Sequence, residues 1–247
     1  MNEKELFSLL VDRFKKVLET HHLESEEIII KARGLSPEEA IGKTERTDYP
    51  ILAGREIMLE AECKGEKGQA FTSAPAGFKG SLSQILELDL EGDLHARGLF
   101  IAAMNAVMKS LGLADRTIHC REAEPEECAR QAAAFIREQY GSPRIALVGY
   151  QPALLERLSG EFSLRVLDLD PEKVGKERYG VVVEHGEEDF EEVIKDWAQL
   201  VLCTGSTVCN GTLVNFLGLD KEVLFFGTTL AGAAELLGCK RLCFCAR

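Results

Sequence analysis

The sequence predicts an α/β protein whose second half forms a mostly parallel sheet. Two observations favour this class: apolar runs in that half end abruptly in small, hydroxyl-bearing or turn residues, and helical stretches separate the runs. The four runs are Ile145–Tyr150, Leu164–Asp170, Leu200–Thr207 and Val223–Thr229. A strand that is buried on both faces has this nearly continuous apolar character. Ligands of open α/β sheets bind beyond the carboxyl ends of the strands, so we expect the functional site there.

Composition narrows the choice of function. The chain has 247 residues and a net charge of −12, which disfavours a nucleic-acid or membrane surface as partner. No apolar stretch approaches the roughly 20 residues that span a bilayer, and no signal peptide is recognisable, so we expect a cytoplasmic protein. The eight cysteines lie in apolar strands or singly in helices, a distribution typical of reduced thiols.

The first half opens with a predicted helix at Asn2–Thr20, because apolar residues recur there at helical spacing. Short β-type runs follow, separated by glycine and proline, and they indicate an antiparallel meander. These runs are Glu27–Ala32, Ile51–Ala53 and Ile57–Cys63.

A loop and two helices are expected next. The stretch Phe71–Gly80 is rich in small and turn residues, and Ser81 with Gln84 forms a capping-box pattern that opens a short helix. A second helix, Asp93–Leu111, is apolar almost all the way round and is therefore expected to be buried. The apolar stretch runs from Gly98 to Met108, and only Asn105 interrupts it.

From Glu124 onward, helices and strands alternate. An amphipathic helix is predicted at Glu124–Tyr140, before the first strand. A weaker strand is expected at Gly180–Val183, and a further helix is expected at Asp189–Trp197. Such alternation predicts a Rossmann-like sheet. We place the domain boundary so that residues 1–118 form a small α+β domain and residues 119–247 form the α/β domain.

Several segments resemble the bacterial and archaeal family described as putative heavy-metal chelation, a domain of unknown function. They are GLFIAAMNA (98–106), IALVGYQPALLERL (145–158), LDLDP (167–171), CTGSTVCNGTL (203–213) and FFGTTLAGAAELLG (225–238). The resemblance implies an enolase N-terminal-like first domain, a Rossmann-like second domain and a site in the cleft between them. Family members often carry a proline after the glycine corresponding to Gly227, where this chain has Thr228.

The turn after the first strand of the sheet bears on cofactor choice. It contains one glycine, Gly149, followed by Tyr150, and so lacks the G-x-G-x-x-G fingerprint of NAD and FAD sites. Asp168 and Asp170 lie about 20 positions further on, where a ribose contact is expected. They either bind a nucleotide-like cofactor, as in a transferase, or form a solvated turn.

Two strand ends predict an oxyanion-binding rim. Thr204, Gly205, Ser206 and Thr207 follow one strand, and Gly227, Thr228 and Thr229 follow another. Free N–H groups and hydroxyls at a helix start bind carboxylate or phosphate, whereas the alternative is ordinary N-capping. The same chemistry at both ends favours the binding interpretation.

The first domain offers Ser73, Lys79 and Asn105 as the opposite wall of the cleft. Ser73 supplies a hydroxyl and Lys79 a cation. Structural hydrogen bonding explains Asn105 without any ligand, since leaving a buried amide unsatisfied costs roughly 1 to 3 kcal/mol. The family resemblance, in which an Asn follows the same small-residue run, supports a functional role for Asn105 equally, so both interpretations stay open.

Metal binding is the remaining alternative. Paired Cys-x2-4-Cys zinc motifs are missing from the sequence. Cys203 and Cys209 lie at the functional edge, where a thiol near a helix N-terminus gains nucleophilic or ligand character, so a transition metal is compatible with them. Cys239, Cys243 and Cys245 are expected to pack in the core, because free cysteine is commonly buried.

We therefore predict a two-domain protein whose interdomain cleft binds a small anionic metabolite or a metal chelate. Two alternatives stay open: a transferase with a nucleotide-like cofactor, and a non-catalytic cysteine-based metal chaperone. The sequence leaves the choice between a binding protein and an enzyme open, and it is compatible with a homo-oligomer.

Overall fold

The computed structural model describes residues 1–31, 34–53 and 57–247. Ala32, the end of the predicted run Glu27–Ala32, lies outside these residues. Two β-sheets with flanking helices form the protein, which confirms the predicted α/β class. In the described part of the chain, no helix is long and apolar enough to cross a membrane.

The first sheet is four-stranded and antiparallel, in the order β3-β2-β1-β4. Its strands are β1 (Glu27–Ile30), β2 (Ile57–Cys63), β3 (Glu66–Thr72) and β4 (Phe78–Ser81). Residues alternate between the two faces of β1, so that Ile28 and Ile30 are buried while Ile29 is exposed. Strands β3 and β4 were not predicted, because β3 begins with charged residues and most of β4 lies in the glycine-containing stretch Phe71–Gly80.

Four helices accompany this sheet: α1 (Glu3–His21), α2 (Pro37–Ile41), α3 (Leu82–Leu86) and α4 (Leu94–Ser110). The predicted capping box is confirmed, since Ser81 and Gln84 exchange both side-chain to backbone hydrogen bonds at the start of α3. The predicted β-type run Ile51–Ala53 is wrong: residues Pro50–Ala53 form a 3-10 helix. Proline lacks a backbone N–H and fixes φ, which favours such a turn over a strand.

Helix α4 lies at the centre of the molecule. Residues 96–108 are all buried, as the apolar pattern predicts. The helix packs on β3 and β2 of the first sheet and on helix α7 (Ala231–Leu237) of the second half. A single hydrophobic core therefore contains α1, α4 and one face of each sheet.

The second sheet has seven strands in the order β11-β10-β9-β5-β6-β8-β7, and only β7 pairs antiparallel. The strands are β5 (Ile145–Val148), β6 (Leu164–Asp168), β7 (Glu177–Arg178), β8 (Val181–His185), β9 (Leu200–Thr204), β10 (Glu222–Phe226) and β11 (Arg241–Leu242). The four predicted apolar runs thus contain β5, β6, β9 and β10. Their carboxyl ends lie at one edge of the sheet.

The helices of this half are α5 (Glu124–Tyr140), α6 (Pro152–Ser159) and α7, with a π-helix at Glu191–Trp197. The helix expected after β9 is replaced by two 3-10 helices, Gly205–Val208 and Thr212–Phe216. Gly211, at a φ of +81°, separates them. Glycine in this left-handed conformation ends the first helical turn before an α-helix can propagate.

Candidate functional site

The central strands of the second sheet bring two predicted segments together. Strand β6, which follows β5 in the chain, pairs with one side of β5, and the later strand β9 pairs with its other side. Such a reversal of direction opens a crevice at the carboxyl ends of the two central strands, where open α/β sheets bind ligands. Gly149 follows β5 at this point, and Thr204 ends β9.

Gly149 allows the two strand ends to lie close together. Its φ is +88°, and a Cβ at this position would lie 2.6 Å from Cγ2 of Thr204. Its N–H donates to the carbonyl oxygen of Leu167 at 2.8 Å. The turn therefore needs glycine for its conformation and for its contact with Thr204.

Asp168 shapes the loops around the crevice. Its carboxylate accepts hydrogen bonds from the N–H of Tyr150 at 2.7 Å and of Asp170 at 2.8 Å, and Nζ of Lys173 lies 3.5 Å away. Asp170 accepts from the N–H of Glu172 and lies 3.6 Å from the same Lys173 ammonium group. Both predicted ribose-binding carboxylates therefore bind groups of their own chain.

The segment after β9 differs from the predicted helix start. Thr204 accepts a hydrogen bond from the N–H of Ser206 at 3.3 Å, and the Thr207 hydroxyl donates to the carbonyl oxygen of Thr204 at 2.7 Å. Gly205 lies against the next loop, since a Cβ there would be 2.8 Å from Cβ of Leu230. The 3-10 helix has only four residues, so the segment offers hydroxyls but no α-helix dipole.

The segment after β10 connects the two sheets. Gly227 has a φ of +92°, and the Thr229 hydroxyl oxygen accepts a hydrogen bond from the N–H of Phe71, which belongs to β3, at 3.0 Å. Thr228 is fully buried, and its hydroxyl has no hydrogen-bond partner among the described residues. The strand-end loop is therefore fixed against the first sheet.

These strand ends border a cavity of about 140 Å³ between the two halves of the molecule. Apolar side chains form most of its wall. The polar residues of the lining are Tyr49, His119, Tyr150, Gln151, Asp168, Thr204, Ser206 and Thr229. In the part of the chain that the structure describes, neither lysine nor arginine lines this cavity.

The predicted site residues are distributed unevenly. Lining this cavity are Gly149, Tyr150, Asp168, Thr204, Ser206, Gly227 and Thr229. Thr207 lines a neighbouring groove beside β6, and Ser73 is exposed in another groove that also contacts Ser206.

Lys79 and Asn105 lie away from the cavity. The Lys79 side chain is 68% exposed and pairs with Glu27 at 3.8 Å. Asn105 is fully buried in α4, where its amide nitrogen donates to the carbonyl oxygens of Gln69, Thr228 and Thr229. Its amide oxygen accepts from the N–H of Gly232 at 2.7 Å. The side chain of Asn105 therefore joins both halves of the protein through backbone groups.

Cys203 and Cys209 are buried next to the 3-10 helix. The Cys203 sulfur lies 3.8 Å from the Thr207 hydroxyl. Burial raises the pKa of the Cys203 thiol, and it raises the pKa of the Cys209 thiol to about 12. Both thiols therefore stay protonated at neutral pH unless a metal displaces the proton.

Sequence reasoning missed a second wall of the cavity, which contains His119, Cys120, Cys128 and Cys243. Burial lowers the pKa of His119, so its imidazole is neutral at pH 7. A hydrogen bond from the Cys243 thiol, helped by backbone N–H groups of Cys245 and Phe244, outweighs burial and lowers the pKa of Cys128. The sequence signal for this wall was the Cys243-x-Cys245 pair, which we assigned to core packing.

Arg46 lies outside the cavity and connects the first half of the chain to the second. Its guanidinium forms a bidentate pair with Asp48 at 2.9 and 3.1 Å, binds Glu156 of α6 at 2.5 Å, and donates to the Tyr179 hydroxyl. Tyr179 in turn donates to Asp48 at 2.7 Å. The loop before Tyr49, which lines the cavity, is thereby tied to the second half of the protein.

Replacing Arg46 by alanine is expected to lower the free energy of unfolding by about 1 to 2 kcal/mol. A bidentate, partly buried ion-pair network stabilises a protein more than an isolated exposed ion pair does. The Arg46 side chain is only 15% exposed. Urea denaturation measures the change. Arg130→Ala is the matched control, since that side chain is 58% exposed and pairs only within its own helix. Equal effects of the two substitutions would show that Arg46 does not fasten the loop.

The contribution of Arg46 to the free energy of unfolding should depend on pH. Burial alone would raise the pKa of Asp48, but hydrogen bonds from Arg46 and Tyr179 outweigh burial and lower it. A carboxyl with a lowered folded-state pKa stabilises the protein above its unfolded-state pKa, and this contribution is lost as pH falls through the folded-state value. The stability difference between wild type and Arg46→Ala should therefore shrink in acid.

Solved structures of proteins of unknown function are similar to this one. The structure resembles that of a protein of unknown function from the DUF364 family of Pyrococcus horikoshii, with a TM-score of 0.54 and 16% identity over 89% of this chain and 79% of that chain. A second DUF364 protein of unknown function, from Desulfitobacterium hafniense, gives a TM-score of 0.48 and 15% identity over 73% of this chain and 72% of that chain. Comparison with proteins of curated function found no match.

The family comparison concerns the half of the chain that contains the strand ends. The family model for DUF364, described as putative heavy-metal chelation, matches residues 131–238. This stretch includes β5, β6, β9 and β10 and the loops that follow them. Residues 131–238 thus match the DUF364 model, and the resemblance predicted from the sequence is confirmed.

Proposed function

We propose that the protein binds one small organic ligand in the cavity between its two halves, with the polar end of the ligand at the strand ends of β5 and β9. The observation that carries this proposal is the composition of the cavity wall, which is mostly apolar and has the hydroxyl groups of Thr204 and Ser206 and the Asp168 carboxylate together at those strand ends. Ligand sites commonly combine an apolar wall with a few convergent polar groups.

The size of the cavity restricts the ligand. Its volume of about 140 Å³ is close to the 150 Å³ of a cavity that holds a single benzene molecule. A ligand body of one aromatic or heterocyclic ring therefore fits. A complete nucleotide needs more room, and Asp168 and Asp170 already bind their own chain, so the transferase alternative has less support.

Charge restricts the ligand further. The cavity wall offers neutral donors, such as Ser206 and Thr204, and the Asp168 carboxylate, but no lysine or arginine among the described lining residues. An anion transferred to such a site loses its hydration without gaining a cationic partner. We therefore propose a neutral polar group, or a carboxylate carrying a bound metal, in place of the free anion that the sequence suggested.

The location and fold relationships belong to the same proposal. All eight cysteines are free thiols in the structure, which supports a reducing cytoplasmic environment. The order of the parallel strands supports a Rossmann-like relationship for the second sheet. The antiparallel sheet followed by α3 and α4 is compatible with an enolase N-terminal-like first domain.

The test uses benzamide and benzoate, which share one ring and differ in charge. Calorimetry should detect tighter binding of benzamide than of benzoate. Ser206→Ala should weaken benzamide binding by about 2- to 13-fold, the effect of losing one neutral hydrogen bond.

Ser142→Ala is the matched control, because Ser142 is exposed in the turn before β5, at the opposite edge of the same sheet. If Ser206→Ala binds benzamide as tightly as Ser142→Ala does, or if wild type binds neither ring, the proposed site is wrong. Tighter binding of benzoate would restore the free-anion interpretation.

A further inference from the structure

His119 lies in the segment between α4 and α5, on the second wall of the cavity. Its backbone N–H donates to Oε1 of Gln69 at 2.7 Å. Gln69 belongs to β3 and is itself buried, and its amide nitrogen donates to Glu60 of β2 at 2.9 Å. The backbone N–H of Gln69 donates to the carbonyl oxygen of Thr117 at 3.0 Å. These contacts fix the backbone at His119 against the first sheet.

One contact of the His119 ring determines where its proton lies. Nδ1 lies 2.5 Å from the carbonyl oxygen of Cys120. A carbonyl oxygen only accepts hydrogen bonds, so Nδ1 carries a proton. Because burial lowers the pKa of His119, the ring is neutral at pH 7 and has no second proton. Nε2 is therefore an unprotonated hydrogen-bond acceptor.

The Nε2 atom of His119 is available to a ligand. Among residues 1–31, 34–53 and 57–247, the ring makes its hydrogen bond through Nδ1 and stacks edge-on against Phe71, with ring centroids 5.4 Å apart. Nε2 is not one of the unpartnered side-chain atoms in these ranges that are shielded from solvent. Because His119 lines the cavity, a small molecule in the cavity can reach this acceptor.

Tyr49 gives the same side of the cavity a second acceptor. Its hydroxyl donates to Oε1 of Glu126 in α5 at 3.0 Å. Burial, together with the negative charge of Glu126, raises the pKa of Tyr49, so the hydroxyl keeps its proton at neutral pH. That proton is used on Glu126, and the Tyr49 oxygen therefore offers the cavity only its acceptor capacity.

Two acceptors without donors restrict the ligand. A ring that fills the cavity without an O–H or N–H group would displace water from Nε2 of His119 and leave this atom unpaired, which lowers affinity. A charged ammonium donor would lose more hydration against the mostly apolar wall than a neutral donor does. A neutral O–H or N–H group is therefore the complement of this side of the cavity.

We propose that His119 determines the ligand specificity of the cavity, because its Nε2 atom accepts a hydrogen bond from a neutral O–H or N–H group on the ligand ring. The ligand then has two polar ends, one at the strand ends of β5 and β9 and one donor at His119. This inference rests on the proposed function, and it narrows the ligand class to hydroxylated or amino-substituted rings and to heterocycles that carry an N–H group.

Calorimetry with the full-length protein tests the proposal. Meta- and para-hydroxybenzamide are compared with the corresponding fluorobenzamides, which are similar in size and lack the O–H donor. For wild type, at least one hydroxy compound should bind about 2- to 13-fold more tightly than its fluoro counterpart, the effect of one neutral hydrogen bond. His119→Phe keeps a ring but has no acceptor, so it should lose this preference.

His95→Phe is the matched control and should keep the preference. His95 is exposed at the start of α4, and its Nδ1 atom also lies near a carbonyl oxygen, that of Pro75, at 3.2 Å. If His119→Phe unfolds, as judged by circular dichroism, His119→Asn replaces it, since asparagine can still donate to Cys120 but has no group at the Nε2 position. A folded His119 variant that keeps the wild-type preference would overturn the proposal.

Nitrogen NMR of isotopically labelled histidines tests the tautomer without a ligand. His185 provides an internal contrast, because its Nδ1 atom accepts from the N–H groups of Glu187 and Glu188 at 3.2 Å, so its neutral ring carries the proton on Nε2. His119 should show the opposite tautomer, and its signal is assigned by its loss in the His119 variant. A proton on Nε2 of His119 at pH 7 would overturn the inference.

Failure of this inference is distinguishable from failure of the proposed function. If benzamide binds wild type and Ser206→Ala weakens that binding, the cavity site stands. Equal binding of the hydroxy and fluoro compounds by wild type would then overturn the role of His119 alone. If wild type binds none of the rings, both the site and the role of His119 are wrong.

Discussion

Replacing Gly68 by alanine is expected to lower the free energy of unfolding by about 3 kcal/mol, at the upper end of the range for overpacked cores. A Cβ on Gly68 would lie 2.1 Å from the backbone nitrogen of Ala106 and 2.6 Å from the carbonyl oxygen of Ala102. Both atoms belong to the backbone of α4, so no rotamer change relieves the clash. The helix itself must move.

Urea denaturation measures this loss, and Gly92→Ala is its control. A Cβ on Gly92 would have no atom within 4 Å, so that variant should resemble wild type. Because α4 contacts both halves of the protein, Gly68→Ala should also weaken benzamide binding. Equal stabilities of the two variants would mean that α4 does not lie as close to β3 as described.

Asn105→Asp should lower the free energy of unfolding at pH 7 by about 3 to 5 kcal/mol, the cost of an uncompensated buried charge. The Asn105 amide nitrogen lies 2.9, 3.2 and 3.0 Å from three carbonyl oxygens. An aspartate places a carboxylate oxygen against the same carbonyl groups and provides no donor.

The pH dependence of the stability of Asn105→Asp distinguishes a buried charge from a packing defect. Burial without a cationic partner raises the pKa of a carboxyl group, and its protonated form can donate one hydrogen bond. The stability difference from wild type should therefore become smaller between pH 7 and pH 5. Asn215→Asp, at an exposed position, should show little change at either pH. If the difference in the free energy of unfolding between Asn105→Asp and wild type does not change with pH, the variant has a packing defect instead of a buried charge.

The structural role of Asn105 also links the core to the site. Its amide binds the carbonyl oxygens of Thr228 and Thr229, and Thr229 is one of the residues that line the cavity. Asn105 is therefore a positioning residue for the strand-end loop. The sequence identified it as the single interruption of an apolar stretch of helix, but three of its four partners come from a segment more than 120 residues away in the chain.

The local sequence pattern predicted the structure correctly where the residues of a single helix or strand determine it. The strand ends at Gly149, Thr204 and Gly227 were predicted because buried parallel strands have continuous apolar runs. Buried α4 and the capping box of Ser81 were predicted for equally local reasons. The two 3-10 helices after β9 were not predicted. The short apolar stretch that contains Gly205 and Gly211 has no periodicity that distinguishes a 3-10 helix from an α-helix.

By itself, then, the sequence determined the α/β class, the edge of the sheet where the cavity opens and the resemblance to DUF364. Only the tertiary structure decided which residues meet at that edge. Cys128 and Cys243 are separated by most of the second half of the chain, and both line the cavity because the C-terminal segment lies beside α5. Strand order and the packing between the two halves depend on contacts between remote segments, and local periodicity does not encode them.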